Sequence, residues 1–180
     1  MKTISKKRLL GIARHVKLII LDVDGVLTDG SIILDNEGNE FKSFHVRDGH
    51  GIKMLIRAGI TVAMITGRYS KVVERRAHEL GITEVYQKCH DKRVAYHHLI
   101  EKYFLDPKEV AYIGDDIVDL PLLKVSGFSV SVSDAAGEAK NASIMVTKNK
   151  GGRGAVREVC DFILKAKGLW EGIVDGYSQT

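Results

Sequence analysis

The segment LIILDVDGVLTDG runs from an aliphatic stretch, Leu18 to Leu21, straight into two acids one residue apart, Asp22 and Asp24. Other apolar runs end in chemically capable residues too: Thr66-Gly67-Arg68, Lys88 with Lys92 slightly further on, and Gly114-Asp115-Asp116 followed by Asp119. Acids that converge repel one another unless a cation joins them, and a hard, oxygen-liganded ion such as magnesium suits this set. Cysteine and histidine clusters that would favour zinc are absent. A calcium loop of the EF-hand kind starting at Asp22 fails, because Ile33 occupies the position that needs a bidentate Glu.

A carboxylate beside such an ion can attack phosphorus to give an aspartyl-phosphate. A second acid can then protonate the leaving oxygen and afterwards activate water. Asp22 and Asp24 suit these two tasks, since a period of two puts both on one side of the residual strand. Gly25 permits a sharp exit and close approach of backbone amides to an anion. Thr66 offers a hydroxyl and a backbone amide to a phosphoryl oxygen. Lys92 opens the helical run Asp91-Lys92-Arg93-Val94-Ala95, where the helix dipole disfavours a cation by roughly 0.3–1 kcal/mol. A phosphate, or Asp22 itself, would offset that cost.

The elements that must carry these residues are legible as alternating runs. Strands are expected at Lys17–Leu21, Ile60–Ile65, Glu84–Gln87, Val110–Ile113, Phe128–Val132 and Ile144–Val146. Helical spacing occurs between them at Ile52, Leu55 and Ile56; at Val73, Ala77 and Leu80; at Val94, Ala95, Leu99 and Tyr103; at Leu120, Leu123 and Lys124; and at Val156, Val159, Ile163 and Leu164. Gly59 and Gly81 read as helix C-caps. The alternation predicts an α/β fold, a Rossmann-like parallel sheet with helices on both faces. Ligands in such sheets sit beyond the carboxyl ends of the strands, where the acids fall. The pattern breaks once: Ser31–Asp35 and Glu40–Val46 flank the turn-rich Asp35-Asn36-Glu37-Gly38-Asn39, an inserted hairpin over 31–46. This hairpin and one helix consume the chain between Asp24 and Thr66, leaving no cap domain there. A single domain over 1–180 is expected, ending in a tail at 169–180.

Composition agrees with an enzyme of a small anionic substrate. The 180 residues are 44% hydrophobic, enough for a substantial core, and 27 Lys plus Arg against 23 Asp plus Glu leave a net charge of +4. No long basic block points to nucleic acid. The apolar run in MKTISKKRLLGIARHVK is too short for a signal or a membrane span, and Cys89 and Cys160 match no zinc spacing, so a cytoplasmic protein is expected. The run Cys89-His90-Asp91-Lys92-Arg93 places its arginine too close to the thiol for a cysteine phosphatase.

The ordered set DxDGVLTDG, ITGR, a Lys opening a later helix, and GDDxxD resembles the four motifs of the haloacid dehalogenase phosphatase superfamily. FHVRDGHGIK, the missing cap and the late GGRGAVREVCD resemble its capless 3-deoxy-D-manno-octulosonate 8-phosphate (KDO 8-phosphate) phosphatases. That resemblance implies a magnesium-dependent phosphatase of lipopolysaccharide precursor synthesis, with Asp22 as nucleophile and Asp24 as general acid/base. Magnesium would be held by the Asp22 carboxylate, the Asp24 carbonyl and Asp115; Thr66 and Lys92 would grip the phosphoryl group. It further implies His45, Val46, Arg47, Asp48, Gly49, Lys53, Arg68 and Arg76 as substrate contacts in a homotetramer whose subunits cover one another's sites. Lys53 stands where the family often has a guanidinium.

Alternatives from the residues remain beside this reading: a nine-carbon sugar acid phosphate as substrate, a silent assembly domain, or a phosphatase of macromolecules. Asp29, Asp35 and Asp119 read as turn or capping residues, and Asp116 and Asp119 as supporting or capping groups. The glycines at 151, 152 and 154 could cradle a phosphate or form a turn. The apolar tail from Leu169 is expected to dock on another subunit.

Overall fold

The computed structural model describes residues 4–178. Eight strands and eight α-helices follow one another: α1 (Lys6–Ala13), β1 (Leu18–Leu21), β2 (Ile33–Leu34), β3 (Glu40–Phe41), α2 (Val46–Arg57), β4 (Thr61–Ile65), α3 (Lys71–Leu80), β5 (Glu84–Tyr86), α4 (Lys92–Tyr103), β6 (Val110–Gly114), α5 (Leu120–Val125), β7 (Phe128–Ser131), α6 (Gly137–Ala142), β8 (Met145–Val146), α7 (Ala155–Ala166) and α8 (Trp170–Ser178). The six expected strands all form, each within a residue of its expected ends. They build one sheet, parallel throughout, in the order β5-β4-β1-β6-β7-β8.

β1 lies at the centre, paired with β4 on one side and β6 on the other. All four of its residues are fully buried, which explains the unbroken aliphatic run: a strand covered on both faces has no solvent side on which to alternate. Right-handed crossovers leave α1, α2, α3 and α7 packed together on one face and α4, α5 and α6 on the other. Gly51 lets α2 and α7 approach, since a Cβ there would lie 3.1 Å from that of Cys160. Because the chain leaves β1 toward β4 and later returns to β6, the sheet has its switch point between β1 and β6, and the crevice opens at their carboxyl ends.

Three expectations change. The hairpin forms, yet its strands are only Ile33–Leu34 and Glu40–Phe41, and Val46 begins α2 instead of ending a strand. α1, capped by the Ser5 hydroxyl, and the short α6 lacked a clear apolar period and were not expected. The tail, expected on a neighbour, folds as α8 against its own chain. The Lys165 ammonium sits 4.5 Å from the Trp170 ring centroid, and the Tyr177 hydroxyl lies 2.8 Å from His50 Nε2 and 3.2 Å from Arg57 Nη1 on α2. The expected domain and tail extend beyond the described residues at 1–3 and 179–180.

Candidate active site

The loop after β1 is wound tightly. The Val23 carbonyl accepts from the amides of Leu27 at 2.9 Å and Thr28 at 3.1 Å, and the buried Thr28 hydroxyl accepts from the amides of Gly25 and Gly30. Gly25 adopts φ +91°, and a Cβ there would lie 2.2 Å from Asp115 Oδ2, so only glycine lets the two loops meet. The same loop is braced from far downstream. A Cβ on Gly151 would fall 1.7 Å from the Gly25 carbonyl oxygen, and the Gly152 amide donates to the Val26 carbonyl at 2.9 Å. These glycines therefore buttress the loop after β1, and the Gly151 and Gly152 amides are committed to Asp134 and to the Val26 carbonyl. Asp29 accepts from the Ser31 amide and pairs with Arg153 at 3.2 Å, a turn residue as expected.

Asp22 is buried at the switch point and its amide extends the sheet by donating to the Ile113 carbonyl. Lys92, on the first turn of α4, places its ammonium 2.6 Å from Asp22 Oδ1 and 2.7 Å from Asp119 Oδ1. The unfavourable end of the helix is thus offset by two carboxylates. Asp119, expected as a supporting or capping residue, does both and is wholly buried at the centre of the cluster. Its Oδ1 accepts from Lys92 and from the Tyr112 hydroxyl at 2.5 Å, and its Oδ2 from the amides of Asp115 and Asp116 at 2.9 and 3.2 Å. It fixes both the lysine and the Asp115 loop. The spacing GDDxxD carried that signal, since a 3₁₀ turn (Ile117–Asp119) folds its last acid back under the first. Asp116 caps that turn through the Ile117 amide, as expected.

Carboxylate oxygens of Asp22, Asp115 and Asp119 all lie within 4.8 Å of one another. Burial, partly offset by Lys92, pushes the Asp22 carboxyl up to about 6; burial and then the Asp22 charge push Asp115 up to about 8. Acids held this close are short of positive charge, and hard oxygen donors at a strand edge fit a divalent cation of the magnesium type. Asp119 has its lone pairs engaged elsewhere, which leaves Asp22 and Asp115 as the side chains turned to such an ion.

Thr66, buried at the end of β4, differs from expectation in one respect. Its amide is committed to the Tyr86 carbonyl at 2.9 Å, while its hydroxyl accepts from the Arg68 amide and keeps its proton to give. Arg68 Nε stands 3.8 Å from Asp24 Oδ2. Lys42, from the inserted hairpin, pairs with Asp24 Oδ1, a contact that sequence reasoning missed because the hairpin looked remote from the strand ends.

The remaining expected contacts fall into two groups. His45, Gly49 and Arg76 gather with Asp48 in a small cleft: the Arg76 guanidinium lies over Phe44 at 5.8 Å, filling space that Gly49 leaves for it, and His45 Nδ1 is buried with no partner among the described residues. Asp48 has a structural part. Its carboxylate is buried and accepts from the amides of Gly154 and Arg157, so it caps α7. Val46, Arg47 and Lys53 are exposed on α2.

Comparison with known proteins agrees with this geometry. The haloacid dehalogenase-like hydrolase family model matches residues 77–159. A 3-deoxy-D-manno-octulosonate 8-phosphate phosphatase from Yersinia pestis is 52% identical over 160 residues, 89% of this chain and 86% of that one. A crystal structure of the Moraxella catarrhalis phosphatase of that name, in complex with magnesium, phosphate and KDO, superposes with a TM-score of 0.93 at 42% identity, covering 95% of this chain and 98% of that one. The cobalt-bound form from Haemophilus influenzae gives 0.85 at 45% identity, covering 88% and 93%. With its central acids, its capless sheet and this degree of identity, the chain belongs to the 3-deoxy-D-manno-octulosonate 8-phosphate phosphatases of the haloacid dehalogenase-like hydrolases.

Proposed function

We propose that the chain hydrolyses 3-deoxy-D-manno-octulosonate 8-phosphate to the free sugar acid and phosphate. The observation that carries this reading is the buried Asp22, fixed by Lys92 at the sheet's switch point and facing Asp115, in a chain so similar to phosphatases of that name. Magnesium, when bound, would be held by Asp22, Asp115 and the Asp24 carbonyl and would offset the charge of the acids and of the phosphoryl group. Asp22 attacks phosphorus, forming its own P–O bond as the bond to the sugar oxygen breaks. Asp24 gives its proton to that oxygen and later takes one from the water that opens the aspartyl-phosphate. Lys92 and the Thr66 hydroxyl hold phosphoryl oxygens, and Arg68 reaches the sugar acid from the rim. His45, Arg76 and the exposed Val46, Arg47 and Lys53 line further substrate ground, with the backbone at Gly49 and the Asp48 cap holding their helix in place.

We also infer a homotetramer of cytoplasmic location. Ile32, Ile33, Leu34 and Phe41 expose an apolar hairpin to water, which favours its cover by another subunit. α8 packs on its own chain yet buries none of its residues fully, so its outer side offers a surface for a neighbour to cover. Cys89 and Cys160 are both unpaired, and among the described residues no helix is long and apolar enough to cross a membrane.

The deciding experiment measures phosphate release with magnesium from eight- and nine-carbon keto-deoxy sugar acid phosphates and from simple sugar phosphates, alongside mass in solution. A tetramer with at least tenfold preference in kcat/KM for the eight-carbon ester is expected. Equal rates across the panel from a monomer would overturn both parts and favour an open, unselective phosphatase.

Magnesium stabilisation should depend on pH with a defined sign. Asp22 and Asp115 have raised pKa values in the fold, so the stability they confer without metal is present below about pH 4 and is lost as pH rises through about 6 and about 8. Magnesium, when bound, would take the place of those protons. At 100 times its dissociation constant measured at pH 8 it should add about 2.7 kcal/mol there, and the same concentration should add much less at pH 5. Thermal melts with magnesium and with chelator at both values check this; an equal increment at both would refute it.

A further inference from the structure

The hairpin does more than fill the place of a cap. A period of two through β3 and the residue after it puts Glu40 and Lys42 on one face and Phe41 on the other, exposed face. The Lys42 side chain is only 1% exposed, and a buried ammonium requires partners. It has two: Asp24 Oδ1, and Glu40 Oε1 at 3.4 Å. Glu40 in turn accepts from Arg68 Nη2 at 3.3 Å, and Arg68 Nε returns to Asp24 Oδ2 at 3.8 Å. Asp24, Lys42, Glu40 and Arg68 thus close a ring of alternating charge across three separate loops, with both Asp24 oxygens turned to cations.

We propose that Lys42 is a positioning residue that holds the Asp24 carboxyl group on the line to the leaving oxygen, with Glu40 anchoring Lys42. This rests on the reading of Asp24 as general acid. A short side chain on a glycine-adjacent loop has several rotamers, and a displacement near 1 Å at such a group costs on the order of 100-fold in rate. Arg68, nearly half exposed, is too loosely held to fix the group alone. The hairpin accordingly couples its own docking to acid placement, so a site with the hairpin displaced retains its nucleophile but not an aligned proton donor.

The test uses the leaving group. An alkyl phosphate needs a proton as its P–O bond breaks, whereas p-nitrophenyl phosphate departs as a stable phenolate without one. The ratio kcat/KM reports steps through departure of that group, so it isolates the acid step. For Lys42→Met in the magnesium-loaded enzyme, kcat/KM for the sugar acid phosphate should fall 10- to 100-fold and for p-nitrophenyl phosphate by less than about threefold. Glu40→Gln, which leaves Lys42 in place, should show the same selectivity at smaller size, and Lys42→Arg should recover part of the loss. Asp24→Asn, measured in parallel, separates the two ideas. If Asp24→Asn affects both esters equally, the reading of Asp24 as acid fails. If Asp24→Asn is selective while Lys42→Met and Glu40→Gln depress both esters equally, or neither, the positioning role is overturned on its own. Should Lys42→Met not fold, Glu40→Gln decides by the same comparison.

Discussion

Asp22→Asn should lower kcat by on the order of 10⁴-fold or more while the protein stays folded. The amide is nearly the same shape and can still accept from Lys92, so the site keeps its form. It cannot attack phosphorus, however, and the neighbouring acids have other tasks: Asp119 is fully engaged, Asp24 is committed to Lys42 and Arg68, and Asp115 would hold the metal. Burial raises the Asp22 pKa against the pull of Lys92, which means the charged form is held at a cost. The substitution should therefore leave the thermal midpoint unchanged or higher, the usual trade between stability and activity at a catalytic acid. Acid quench during turnover should trap a phosphorylated protein from wild type and none from the variant. Activity within tenfold of wild type would refute the nucleophile assignment.

Lys92→Met should have the largest effect on stability. The methionine preserves length and apolar stem but leaves Asp22 and Asp119 facing each other, buried, with no cation between them. Breaking a buried ion pair from one side costs about 3–5 kcal/mol. At about 2–4 °C per kcal/mol for a chain of this size, the midpoint in metal-free buffer should fall by roughly 6–20 °C. The Tyr112 hydroxyl, also 3.3 Å from the Lys92 ammonium, cannot compensate, because it already donates to Asp119. Activity should fall too, since a phosphoryl ligand is lost with the charge. A variant as stable as wild type would mean that the acids share a proton and need no lysine.

Much of this was readable in the residues because each depended on a local pattern. Strands buried on both faces announce themselves as aliphatic runs, and the residue after each run was the right one to inspect: Asp22, Thr66, Lys92 and Asp115 all lie at the edge where they were expected. What escaped was whatever depends on contacts between distant segments. Asp119 looked like a cap because capping acids are common after strands; only the fold reveals that its side chain turns inward to Lys92, 27 residues away. Lys42 was hidden for the same reason, in a hairpin whose residues carry no catalytic spacing. The capping part of Asp48 was hidden likewise, since the amides it accepts from lie more than a hundred residues downstream.

The packing of Gly151 and Gly152 against the loop at Gly25 has a consequence for how the protein comes into being. Contacts of long sequence separation form late, because the closure entropy of the intervening chain must be overcome first. During synthesis, a chain extended only through β8 already contains every acid named here, yet lacks the backbone that props the Asp22–Asp24 turn into shape. The ribosome must release the chain through Gly152 before that turn has a wall to rest on, so a nascent chain that stops short of it carries its acids without this support.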